Sequence, residues 1–143
     1  MAENAVVSAV KKGKAASGPG QWVEVARSRT GLEHQSKMSG QPIRETGGKY
    51  YISEYKIPIE TRPVYFDDFR DGVLYEYKGP YGRLLNKDKV FYDWFKGAAA
   101  ARDQAWRQIK AAGGISVVWR VGADQVKAFK RALGRIPGVS VEP

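Results

Sequence analysis

The spacing of apolar positions changes along the chain. From Gln21 onward, Trp22, Val25, Arg29, Leu32 and Gln35 (or Ser36) follow three-to-four spacing. That spacing predicts a helix, weakened by Gly31 and closed by Gly40 and Pro42. The segment GGKYYISEYKI, within residues 47–66, is Tyr- and Ile-rich and alternates, so strands are expected there, with Pro58 and Pro63 as punctuation. Val64–Phe66 is a short β run, Asp68–Gly72 reads as a turn, and Val73–Lys78 is the strongest strand signal, ended by Gly79-Pro80. Over residues 87–112 a stripe of Ala98, Ala101, Ala105, Ile109 and Ala112 predicts a helix stopped by Gly113-Gly114, with Asp103, Arg107 and Lys110 off the stripe. Ile115–Val121 is almost continuously apolar, as expected of a central strand. Val126, Phe129 and Leu133 mark a second amphipathic helix beginning near Asp124, and Val139–Val141 suits an edge strand. The predicted order is α-β-β-β-α-β-α with a final strand, an α/β domain built on a mixed sheet. Residues 1–20 contain KKGKAASGPG and read as a flexible tail or linker, which leaves 21–143 as the domain.

Composition narrows the chemistry. The 143 residues contain no cysteine and one histidine, His34, so thiolate metal sites, cysteine nucleophiles and His-rich zinc sites are excluded. His34 is expected on a helix surface. No apolar run is long enough to span a membrane, and Met1 to Val10 lacks the basic start of a signal peptide. Seventeen aromatic residues can furnish a core, with Trp94 and Trp106 counted among them.

Charge adds more. Lys and Arg number 24 against 15 Asp and Glu, a formal charge of +9 that favours polyanionic partners. The two ends are basic, whereas residues 51–101 are neutral and hold a carboxylate cluster of Asp67, Asp68, Asp71 and Glu76. Acid in the centre of a basic protein can form a metal site within a phosphate-binding surface. Arg107, Arg120, Lys127 and Lys130 are candidate nucleic-acid contacts, although solubility alone would also account for them.

The segment FDDFRDGVLYEYKGP, residues 66–80, carries the sharpest chemistry. Strand periodicity puts Glu76 and Lys78 on one face, and a turn between paired strands returns Asp67 beside them. Two carboxylates and an ammonium then converge. Asp and Glu oxygens are hard ligands suited to Mg²⁺ (Mn²⁺ can substitute), which retains waters and could also take the backbone carbonyl of Tyr77. A cation there would polarise a phosphate and acidify water, with Lys78 orienting that water or balancing charge. Glu-x-Lys alone equally describes a solvated strand face, and Asp-Gly a plain turn. Glu33 on the first helix is a further candidate ligand or an ordinary exposed carboxylate. Gln35, Gln104 and Gln108 could support the site or lie on solvated faces.

The stretch FDDFRDGVLYEYKGPYG, followed in order by ARDQAWRQIKAAGG, ISVVWR and AFKRAL, resembles a family of bacterial polymorphic toxins, "restriction endonuclease fold toxin 5". LEHQSKMSG (residues 32–40) resembles that family's upstream helix, and the likeness spans residues 21–143. It implies a PD-(D/E)xK core: a central mixed sheet flanked by helices, with a Mg²⁺-dependent site. Asp67, Glu76 and Lys78 match the family's Asp and E-x-K, Glu33 its first-helix acid, and Gln35 and Gln104 recurring polar positions; Asp71 is grouped with these as support. Asp68 stands where the family has Gly, which leaves Asp67 and Asp68 both open as ligand. Tyr77 replaces a small residue, and Trp119-Arg120 replaces Trp-His. The resemblance further implies an antibacterial DNase effector, secreted (often by a type VI system) into a rival's cytoplasm, where DNA is the target. In the producer, an acidic immunity protein would hold it inactive, with charge steering the association.

Overall fold

A computed structural model describes residues 18–79, 82–93 and 95–143. Residues 1–17, Pro80, Tyr81 and Trp94 lie outside the described residues. The fold is mixed α and β, with two four-stranded sheets and three α-helices among the described residues.

The first element among the described residues is a strand. Gln21–Arg27 (β1) pairs antiparallel over its whole length with Lys49–Ile57 (β3). The helix predicted from Gln21 is therefore corrected to Leu32–Ser39 (α1). Trp22, Val23 and Val25 favour a pleated, half-buried surface, and the long-range pairing with β3 overrides a stripe that also fits a helical period. Trp22 sits opposite Tyr55 in the register and meets it edge-on, with centroids 5.8 Å apart. Gly31, at φ 78°, resets the backbone before α1, and Gly40, also at φ 78°, ends it. The predicted linker boundary shifts as well. Gly20 N–H donates to the Tyr55 hydroxyl (2.8 Å), and a Cβ on Gly18 would collide with Tyr55 and Phe69, so Gly18–Gly20 belongs to the packed body.

Arg44–Thr46 (β2) and Val64–Phe66 (β4) complete the first sheet by pairing with opposite ends of β3. One residue, Asp67, separates β4 from Asp68–Arg70 (β5), the first strand of the second sheet. The turn predicted over Asp68–Gly72 shrinks to two residues. Arg70 pairs with Val73, and Asp71 (φ 51°) and Gly72 (φ 78°) make the link, the left-handed pair that matches strand twist. Val73–Tyr77 (β6) follows, then Gly97–Ala112 (α2), Val117–Arg120 (β7), Val126–Leu133 (α3) and Val139–Glu142 (β8). The second sheet runs β5-β6-β7-β8, with β6, β7 and β8 mutually parallel and α2 and α3 as the crossovers. The expected mixed sheet, central β7 and edge β8 are thus present. The observed order is β-α-β-β-β-β-β-α-β-α-β. The described residues of 87–96 are not helical: the Asn86 side chain accepts from the N–H groups of Asp88 and Val90, folding a local turn before α2.

The core is built from both sheets together with α2 and α3. Trp119, Phe66, Tyr55, Leu74 and Leu133 are fully buried, and Phe129 stands edge-on to Trp119 at 6.0 Å. Ala101, Ala105 and Ala112 of the predicted stripe face inward. Trp106, expected in the core, is 47% exposed. No helix among the described residues is long and apolar enough to cross a membrane.

Candidate active site

Asp67 occupies the junction of the two sheets. Its Oδ2 accepts the N–H of Tyr77 (2.8 Å), so a side chain supplies a backbone partner where the sheets part. That bond fixes Asp67 against the end of β6, whose Glu76 shares a pocket of about 330 Å³ with Asp67, Lys78, Gln104, Gln35 and Glu54. Lys78 Nζ lies 3.3 Å from Glu76 Oε2 and 2.9 Å from Gln104 Oε1, and 4.8 Å from the centre of the Trp119 ring. Gln108, one helical turn beyond Gln104, donates to Glu76 Oε1 (3.0 Å) and accepts from Trp119 Nε1 (2.8 Å). The result is a continuous network, Trp119–Gln108–Glu76–Lys78–Gln104, in which the catalytic candidates are held by α2 and β7.

Gln108 is only 1% exposed. Its position three residues after Ala105 and four before Ala112 lies on the apolar stripe, and a glutamine at such a place signals a buried polar role. Gln108→Ala would strand both the Trp119 N–H and a Glu76 oxygen. We expect a stability loss of about 3 kcal/mol, read as a lower urea midpoint at unchanged slope.

A second polar group closes the pocket. Glu54 is buried on β3 and takes a bidentate pair from Arg27 (2.9 and 2.6 Å) and a bond from Gln35 (2.8 Å). Neither Arg27 nor Glu54 is evident from the local pattern, because β1 and β3 bring them together across 27 residues. The available signal is Glu54 itself, which shares strand parity with buried Ile52.

Several sequence candidates stand elsewhere. The Glu33 side chain is 80% exposed and pairs with Arg29 (3.9 Å); on α1 it is Gln35 that reaches the pocket. Asp68 does not line the pocket: its Oδ2 binds the Tyr77 hydroxyl and Arg70, both at 2.7 Å, so of the two aspartates it is Asp67 that faces the pocket. Asp71 sits in the hairpin turn at the opposite end of β6. Arg120 binds the Pro143 carbonyl and Glu142, Lys127 binds the Asp88 carbonyl, and Lys130 is exposed on α3; none lines the pocket. Arg107 lines two adjoining grooves.

Burial pushes the Asp67 carboxyl well above the usual range, and the charges of Glu76 and Glu54 push it further, against the Tyr77 N–H and Lys78. Burial also raises Asp68, opposed by its bonds to Tyr77 and Arg70. The pair with Glu54 raises Arg27. A carboxyl so disfavoured as an anion is what a divalent cation would relieve. Among the described residues, Oδ1 of Asp67 accepts no hydrogen bond and Glu76 Oε2 pairs with Lys78 alone. No group of three or more His, Cys, Asp or Glu side chains among the described residues is placed to hold an ion. Two carboxylates facing an open pocket nevertheless suit Mg²⁺, which usually takes one or two protein carboxylates and completes its shell with water and substrate phosphate.

Compared with protein-family models, curated proteins and solved structures, the chain matches none.

Proposed function

We propose that the chain is a metal-dependent DNA endonuclease with a PD-(D/E)xK core, and that it acts as an antibacterial toxin. What carries this reading is the convergence of Asp67, Glu76 and Lys78 in one pocket, with Lys78 directed by Gln104 and Glu76. Asp67 and Glu76 would hold Mg²⁺, which when bound polarises the phosphate and acidifies water. Lys78 has three N–H donors. Gln104 accepts from one of them and Glu76 lies 3.3 Å away as an ion pair, which aims the ammonium into the pocket to orient the attacking water or meet charge developing on the phosphate. Gln108 fixes Glu76, and Trp119 fixes Gln108. Arg27, braced by Glu54, places a guanidinium on the pocket wall, a geometry suited to phosphate. The basic charge supports a nucleic-acid substrate and an acidic immunity protein as partners. The toxin role and delivery into a rival's cytoplasm rest on the family resemblance.

End-group analysis after digestion of DNA and RNA in Mg²⁺ tests the reaction class. Attack by water leaves no 2′,3′-cyclic phosphate, even on RNA. Cyclic ends, formed by the ribose 2′-hydroxyl, would overturn the assignment.

A further inference from the structure

The pocket adjoins a second groove of about 420 Å³, and Tyr65 and Gln104 line both. Arg62, from the loop before β4, and Arg107 and Lys110, from α2, line this groove, and no carboxylate does. All three cations are exposed, and none forms an ion pair with a described residue, whereas Arg27, Arg44 and Arg70 each engage a carboxylate at 2.6–2.7 Å. Arg107 and Gln104 also line a third recess, of about 290 Å³, whose wall includes Lys78. A track of unpaired positive charge therefore leads from the carboxylate pocket, past Gln104, to Arg62. Like charges gathered in a groove without counter-charges raise the local potential and attract an anion.

We propose that this groove carries the sugar–phosphate backbone flanking the scissile phosphate, with Arg62, Arg107 and Lys110 as phosphate contacts. The inference rests on the nucleic-acid reading of the pocket. It relocates the binding surface: Arg107 keeps the role its sequence position suggested, whereas Lys127 and Arg120 are engaged by carbonyl oxygens elsewhere. A nucleic-acid strand is favoured over an acidic protein because the groove shares walls with the pocket, so its occupant must also present a group to Asp67, Glu76 and Lys78.

The test compares Arg62→Ala/Lys110→Ala with Lys37→Ala/Lys49→Ala, which removes the same charge from exposed positions that line none of these recesses. Binding of fluorescein-labelled DNA and RNA oligonucleotides is measured in EDTA across a salt series, with polyglutamate as a competitor, and cleavage of the same oligonucleotides in Mg²⁺. The groove variant should weaken binding about tenfold at low salt and lessen the salt slope by about 0.7 for each lost contact to a single strand. Its KM should rise about tenfold with kcat kept within about twofold, the mark of a contact equally present in ground and transition states. Equal effects of the two double variants would reduce the result to net charge and overturn the proposal. So would a groove variant that binds oligonucleotides like wild type but no longer responds to polyglutamate. Wild-type cleavage with an unchanged KM in the groove variant sinks only the groove. A wild type that neither binds nor cleaves any oligonucleotide sinks both this and the nuclease reading.

Discussion

Lys78→Ala is expected to slow phosphodiester cleavage about 10³-fold while leaving the protein folded. The ammonium is held in the pocket by its hydrogen bond to Gln104 and its ion pair with Glu76. Loss of such a preorganised donor commonly costs two to three orders of magnitude in kcat. The fold should survive because Gln104 Oε1 and Glu76 Oε2, the groups left behind, line the pocket and can be reached by water. Glu76→Gln tests the same machinery from the other side. Its amide oxygen can still accept from Gln108, so the buried network persists, but the anionic ligand is gone. Activity of this variant should fall at least as far. Near-native melting curves in both, with cleavage near background, are the expected pair of results; wild-type rates in either variant would remove it from the reaction.

Asp67→Asn is expected to do two opposite things: to abolish cleavage and to raise the melting temperature of the metal-free protein at neutral pH. The Asn oxygen can keep the bond to the Tyr77 N–H, so the sheet junction stays closed. What disappears is a carboxylate disfavoured by burial and by the charges of Glu76 and Glu54. The sign follows from linkage. A carboxyl whose folded pKa lies above its unfolded value contributes stability below the unfolded pKa and loses it as pH rises through the folded pKa. The advantage of Asn over Asp should therefore be largest at neutral pH and shrink as the solution is acidified through the Asp67 transition. Mg²⁺ should reverse the comparison, raising the melting temperature of wild type and leaving Asp67→Asn unmoved. Because a proton competes with the cation for Asp67, the Mg²⁺ concentration needed for half-maximal activity should increase toward acid pH. A variant less stable than wild type at neutral pH without metal would contradict this account of Asp67.

These expectations concern residues that local sequence pattern could reach. Asp67, Glu76 and Lys78 are separated by one hairpin, and the two-residue strand period together with the Asp71-Gly72 turn is enough to bring them to the same end of β6. The same logic located β3, β7 and β8. It failed where distant pairing decides. Gln21–Arg27 carries a helical stripe and becomes a strand because β3 offers a full-length partner. Arg27 reaches Glu54 only through that pairing, so neither could be foreseen from its neighbours. The exchange of Glu33 for Gln35 has a simpler cause. Residues two apart on a helix point to nearly opposite sides, and the start of α1 after Gly31 turns Gln35 inward. Gln108 stays open between the site and a solvated face when only apolar residues are counted in the α2 stripe, yet its place on that stripe shows its burial. Trp106 lies on the exposed side of the same helix.

The burial that raises Asp67 follows from the sheet junction, and the placing of Lys78 from two glutamines one turn apart on α2, Gln104 accepting from its ammonium and Gln108 holding Glu76 beside it. The chemistry proposed here thus depends on elements from both sheets and cannot be assigned to the Glu-x-Lys segment alone. The most direct measurement is conversion of supercoiled plasmid by the purified protein, in Mg²⁺ and in EDTA, with Lys78→Ala beside wild type. The account predicts loss of supercoiled DNA only for wild type and only with Mg²⁺. Conversion that persists in EDTA, equal conversion by Lys78→Ala, or no cleavage of plasmid by wild type in either Mg²⁺ or Mn²⁺ would contradict it.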